Sequence, residues 1–168
     1  MTTKLMISMF LFAFSVLAFG GDPLAPAFEN YGALQASLAS DNFDASKTHL
    51  AALTTSVANL SDKDLNNKAK AARSTQITGL KSALESAAQA ADITALRTHF
   101  EPISTAMITL YKEAHLHGFS EFHCPMAMDG KGANWLQKDE TIANPYFGSS
   151  MLRCGAKVAG HSHGDHQH

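Results

Sequence analysis

Apolar residues recur at three- and four-residue steps through the first two thirds of the chain, a period that predicts amphipathic helices. Phe28, Tyr31, Leu34 and Leu38 make the first stripe, after the Pro-containing segment Asp22–Pro26, and this helix should end near Asp41. Asn42 or Asp44 can cap a second helix, whose stripe is Leu50, Leu53, Val57 and Leu60. Ser61 with Asp64 resembles a capping box and opens a long third helix. Its narrow, Ala-rich face is Leu65, Ala69, Ala72, Leu80, Leu84 and Ala87, and Gly79 marks a place where it can bend. Asp92 is the N-cap expected for a fourth helix, with Ile93, Leu96, Phe100, Ile103, Met107, Leu110 and Tyr111 on its buried side. Pro102 falls inside that pattern, where a missing N–H and a ring clash with the preceding turn predict a kink near His99. Four such helices with short connectors predict an all-α chain, an antiparallel four-helix bundle over residues 21–118.

From His117 the helical period stops and Gly, Pro, Asn and Asp become frequent, so residues 119–158 are expected to form an irregular loop. Phe119, Phe122, Trp135, Tyr146 and Phe147 supply the aromatic surface to pack that loop on the bundle. Residues 159–168 carry His161, His163, His166 and His168 and are expected to be a disordered tail. At the other end, residues 1–20 have one Lys, an apolar run from Leu5 to Phe19 and then small residues, the pattern of a cleaved secretory signal. The mature protein is then expected in the periplasm or outside the cell, with no membrane segment left after cleavage. A chain of 168 residues with a formal charge of -2 is one domain's worth of sequence, without the basic patch that nucleic acid would require.

The candidate chemistry lies in residues 119–158. Cys124 and Met126 precede the Gly/Pro-rich stretch, and Met151 and Cys154 come after it. Thiolates and thioethers together favour Cu(I), so these four are the inner ligand set, with His123 and Met128 in second rank because neighbouring residues of a loop often face apart. For the methionines the competing reading is ordinary core filling. For the cysteines it is a disulfide, since an even count in an oxidising compartment points to pairing, in which case no cofactor is needed. Trp135 reads as a packing anchor beside Tyr146, while Asn144, Pro145 and Gly148 read as a turn. His115 and His117 suit the end of the fourth helix. The tail histidines form a secondary, loose site for Cu(II), Ni(II) or Zn(II). No nucleophile motif, phosphate loop or Cys-x-x-Cys pair is present, which argues against an enzyme.

Cys124-Pro125-Met126, Gly132-Ala133 with Trp135-Leu136, Ile142 with Asn144-Pro145-Tyr146-Phe147-Gly148, and Met151-Leu152 with Cys154-Gly155 together resemble a bacterial family. That family is an exported domain of unknown function, also found attached to periplasmic adaptors of heavy-metal efflux pumps. Weaker similarity runs back through Phe100 and Pro102-Ile103-Ser104, and the His-rich tail lies outside the pattern. The resemblance implies an all-helical exported domain with a copper or related metal role and an efflux adaptor as a partner. Two functions are expected from these readings: a Cu(I) carrier, or a non-enzymatic interaction module whose loop is stapled by Cys124 and Cys154.

Overall fold

The computed structural model describes residues 22–60 and 70–159. The leader at residues 1–20, the Ser61–Asp64 cap, Leu65 and Ala69 of the third stripe and the histidines of the tail lie outside them, as does the side chain of Ala72.

Four long helices form where the hydrophobic period places them. They are α1 (Ala25–Ala39), α2 (Phe43–Ala58), α3 (Lys70–Ala87) and α4 (Ile93–Glu113). The Asn42 side chain accepts the Ala45 N–H at 3.0 Å to start α2, and Asp92 accepts the Ala95 N–H at 2.8 Å to start α4. Each satisfies a backbone donor that has no partner inside its helix. Helix α4 runs through His99 and Pro102 without interruption. Helix α1 packs on α2, α2 on α3, α3 on α4, and α1 also touches α4. Tyr31, Leu34 and Leu38 of α1, Leu53 and Val57 of α2, Leu80 and Leu84 of α3, and Leu96, Phe100, Ile103 and Met107 of α4 are fully buried. Tyr31 stacks on Phe100 with ring centroids 5.5 Å apart. Among the described residues no helix is long and apolar enough to cross a membrane.

The irregular loop expected over residues 119–158 is instead a small antiparallel sheet, so the chain is mostly helical but not all-α. Strands β1 (Ser120–Cys124), β2 (Ala133–Gln137) and β3 (Ala156–Lys157) lie in the order β2-β1-β3. The physical cause is a short run of period two: Phe122 and Cys124 are buried while Glu121 and His123 are not. Phe122 pairs with Trp135 across the strands and stacks on it at 5.7 Å.

What seats the sheet on the helices is the outer edge of β2. There the Leu136 N–H and the Asn134 C=O point away from β1 and would be buried without partners. Tyr31 accepts the Leu136 N–H at 3.0 Å and is bonded to Ser104 at 2.7 Å. Ser104 in turn donates to the Asn134 carbonyl at 2.8 Å, and Tyr146 donates to the same carbonyl at 2.6 Å. Burial pushes the Tyr31 and Tyr146 phenols well above their ordinary values, so both stay neutral donors.

Two substitutions test this account by denaturant unfolding. Tyr31→Phe should cost about 1–3 kcal/mol, because it strands the buried Leu136 N–H and removes the hydrogen bond that Ser104 makes to the phenol. Gly79→Ala should add up to about 1 kcal/mol, because Gly79 is exposed inside α3 and a Cβ there meets nothing within 4 Å.

Candidate functional site

Cys124 ends β1, the middle strand, and its side chain is fully buried. Cys154 lies in the turn that leads into β3 and is half-buried. Their sulfurs are 2.8 Å apart, although 30 positions separate them in sequence. A covalent S–S bond is about 2.05 Å, while two thiolates sharing one ion through bonds of about 2.3 Å stand about 3.8 Å apart at a tetrahedral angle. The observed separation falls between the two. The Cys124 sulfur, followed by burial, raises the Cys154 thiol above its ordinary value, and the backbone N–H of Met126 works in the opposite direction.

Met126 comes two residues after Cys124, and its side chain is 56 % exposed, which leaves it unexplained by core packing. Met128 is partly buried against the core and shares with Met126 a cleft of about 520 Å³, also lined by Thr98, Lys131, Tyr146 and Phe147. Met128 and Asp129 both adopt left-handed backbone, with φ of 52° and 56°, which turns the chain sharply between β1 and β2. Met151 is half-buried, and its carbonyl accepts the Cys154 N–H at 3.0 Å. The structure thus brings Cys124, Cys154 and the Met126 backbone together, with the Met126 side chain open to solvent and Met151 one turn away.

His123 is separated from this set. The strand's alternation turns its ring to the opposite face, where Nδ1 meets the Asn134 Oδ1 at 2.5 Å. Asn134 then donates to Glu121 at 2.6 Å, and Glu121 is paired with Lys112. Among the described residues no three His, Cys, Asp or Glu side chains gather at one point.

The turn residues hold Cys154 in place. Asn144 accepts the Tyr146 N–H at 2.8 Å, closing an Asx turn around Pro145, and donates its amide to the Cys154 carbonyl at 2.8 Å. Gly155 lies so close to β1 that a Cβ there would come within 2.8 Å of the His123 carbonyl and 2.9 Å of the Trp135 ring. Trp135 is fully buried, donates to Gln137 at 2.8 Å and meets Tyr146 edge to face.

Several residues that fix this geometry carry no motif in the sequence. Arg97 donates to the Pro145 carbonyl at 3.0 Å, to the Leu38 carbonyl at 2.6 Å and to Asp41 at 2.6 Å, joining α1, α4 and the turn. Gly148 packs so tightly there that a Cβ would collide with both Arg97 and Asp41. Gln137 accepts the Ala143 N–H, and Gln35 of α1 donates to the Ala143 carbonyl. The available signal was polar residues on helical faces that otherwise read as apolar: Gln35 beside Leu34, and Arg97 beside Leu96.

Residues 27–117 match the family described as "Protein of unknown function (DUF3347)". The matched segment covers the four helices and stops before β1, so the cysteine, methionine and turn residues all lie beyond it. No curated protein and no solved structure matches the chain.

Gly148→Ala should destabilise the protein by roughly 2 kcal/mol or more, since Gly148 has a φ of +57° as well as no space for a Cβ, and thermal unfolding reads it directly. Asp41 supplies a pH test. The Arg97 hydrogen bond, then those from Ser149, lower its carboxyl from the ordinary 3.8 to about 2. Its contribution is therefore present above pH 3.8 and is lost as pH falls towards 2. Asp41→Asn should lose less stability than wild type across that interval.

Proposed function

We propose a function on the premise that the chain belongs to the DUF3347 family, whose description assigns no activity, so that the site itself must carry the reading. The protein is a non-enzymatic carrier of a soft metal ion, Cu(I), exported to the periplasm or beyond. Its helices are read as an antiparallel bundle, on which the small sheet displays the metal-binding residues. The ion is cargo, taken by ligand exchange among soft donors. In this reading the reduced Cys124 and Cys154 supply two thiolates, Met126 supplies the thioether, and Met151 and Met128 are the next donors available. An efflux adaptor is the acceptor that the resemblance of the C-terminal motifs implies. The imidazoles of His161, His163, His166 and His168 act as a separate, weaker collector.

The single observation that supports this reading is the exposed thioether of Met126, two residues beyond a cysteine whose sulfur lies 2.8 Å from that of its partner. A methionine recruited only for packing would be buried. Loading requires the sulfurs to separate by about 1 Å. Cys154 is the side chain free to do this, because Cys124 is enclosed by the sheet.

The same 2.8 Å contact favours a second reading, in which the oxidised pair staples the sheet as a rigid docking surface. On the chain-entropy model, closing a loop of this size stabilises the fold by about 3.5 kcal/mol. The two readings describe the two redox states of one pair.

Competition against a chromophoric Cu(I) chelator, anaerobically and with the four tail histidines replaced by Ala in every protein, tests the carrier. Cys124→Ser and Cys154→Ser should each weaken Cu(I) binding by more than roughly 100-fold, since loss of an outer-shell contact alone costs 10–100-fold. Met126→Leu, which keeps the volume and removes the thioether, should weaken it by about tenfold. Affinity should also fall with falling pH, because thiol protons compete with the ion. Equal affinities in all four proteins would refute the assignment.

A further inference from the structure

The position of the two sulfurs also bears on what happens when copper arrives as Cu(II), an oxidant of thiols. Cys124 is fully buried in the middle strand. Cys154 has its backbone held on both sides: its N–H by the Met151 carbonyl at 3.0 Å and its carbonyl by the Asn144 amide at 2.8 Å. Gly155, next in the chain, is pressed against the His123 carbonyl and the Trp135 ring. The freedom left to Cys154 is rotation of its own side chain. From 2.8 Å, bond formation needs a closing movement of somewhat under about 1 Å, with no rearrangement of backbone.

We infer that Cys124 and Cys154 are a two-electron donor that reduces Cu(II) to Cu(I), and that the resulting disulfide closes the two-thiolate site. The inference rests on the copper reading and adds the source of the cuprous ion. In the balanced step, the two S–H bonds break and their protons pass to solvent. Each sulfur gives one electron to one Cu(II), two Cu(I) ions form, and a single S–S bond forms between Cys124 and Cys154. Met126 cannot be oxidised to a disulfide and keeps its thioether throughout, so it is the donor left to hold a cuprous ion once both thiolates are gone. The oxidised protein then grips copper less tightly than the reduced protein, which favours release to an acceptor. A dithiol reductant restores the pair by exchange, entering at Cys154 because Cys124 is enclosed.

The test uses the full chain, reduced and then freed of reductant under anaerobic conditions, with two equivalents of Cu(II) added. Cuprous ion is read with bicinchoninate, and thiols are read by alkylation and mass spectrometry. The expected result is about two Cu(I) per chain, no alkylated cysteine, and one peptide pair linked through Cys124 and Cys154. Cys154→Ser and Cys124→Ala should each reduce Cu(II) more than roughly 100-fold more slowly at micromolar protein, because they lose a partner held at millimolar or higher effective concentration. Two variants are used so that a folding defect in one, checked by circular dichroism, does not decide the result. Persistent thiols with unreduced Cu(II), or reduction by both variants at the wild-type rate, would overturn the inference. A parallel titration of reduced protein with Cu(I) separates the two proposals. Tight Cu(I) binding without Cu(II) reduction removes the electron-donor role and leaves the carrier. Reduction with disulfide formation but no Cu(I) retention does the reverse.

Discussion

A buried strand edge is the constraint on which the rest of the structure depends. Strand β2 meets the helices with its open edge, and a backbone N–H or C=O enclosed there without a partner would cost about 1–3 kcal/mol each. Tyr31, Ser104 and Tyr146 supply the missing partners to Leu136 and Asn134. Because Tyr31 is also stacked on Phe100 in the core, the sheet is registered against α1 and α4 by the same side chains that pack those helices. A one-residue slip of β2 would turn the wrong backbone groups towards the hydroxyls and exchange its two faces.

That registration is what makes the cysteine pair possible. With β2 fixed, β1 is fixed beside it, and Cys124 is held at the end of the middle strand. Cys154 reaches the same point by another route, through the Asx turn at Asn144 and the close approach of Gly155 to β1. Arg97 and Asp41 lock the far side of this turn to α1 and α4. Helices, turn and sheet therefore converge on one pair of sulfurs. The backbone at Cys154 is held on both sides, and the freedom left there is rotation of one side chain. The family match over residues 27–117 falls on the four helices, and both cysteines lie in the sheet and turn C-terminal to them.

The sequence by itself determined the helices, because a 3.6-residue stripe and a capping side chain are local properties. Asn42 and Asp92 act where the pattern puts them, and Leu34, Leu53, Leu84 and Phe100 are buried as their spacing requires. It also marked Cys124, Met126, Met151 and Cys154 as the chemistry worth watching, since soft donors stand out by type alone. The short strands were harder to see: five residues of alternation, flanked by Gly and Pro, are little to separate from a loop. Only the tertiary structure decided that His123 faces away from Cys124, that Met126 is exposed while Met128 is partly buried, and that two thiols 30 positions apart lie 2.8 Å from each other. The physical reason is range. Periodicity and capping act within a turn or two of chain, whereas the meeting of Cys124 with Cys154 depends on hydroxyls from α1 and α4, a guanidinium from α4 and two glycines without side chains, most of them far from either cysteine in sequence.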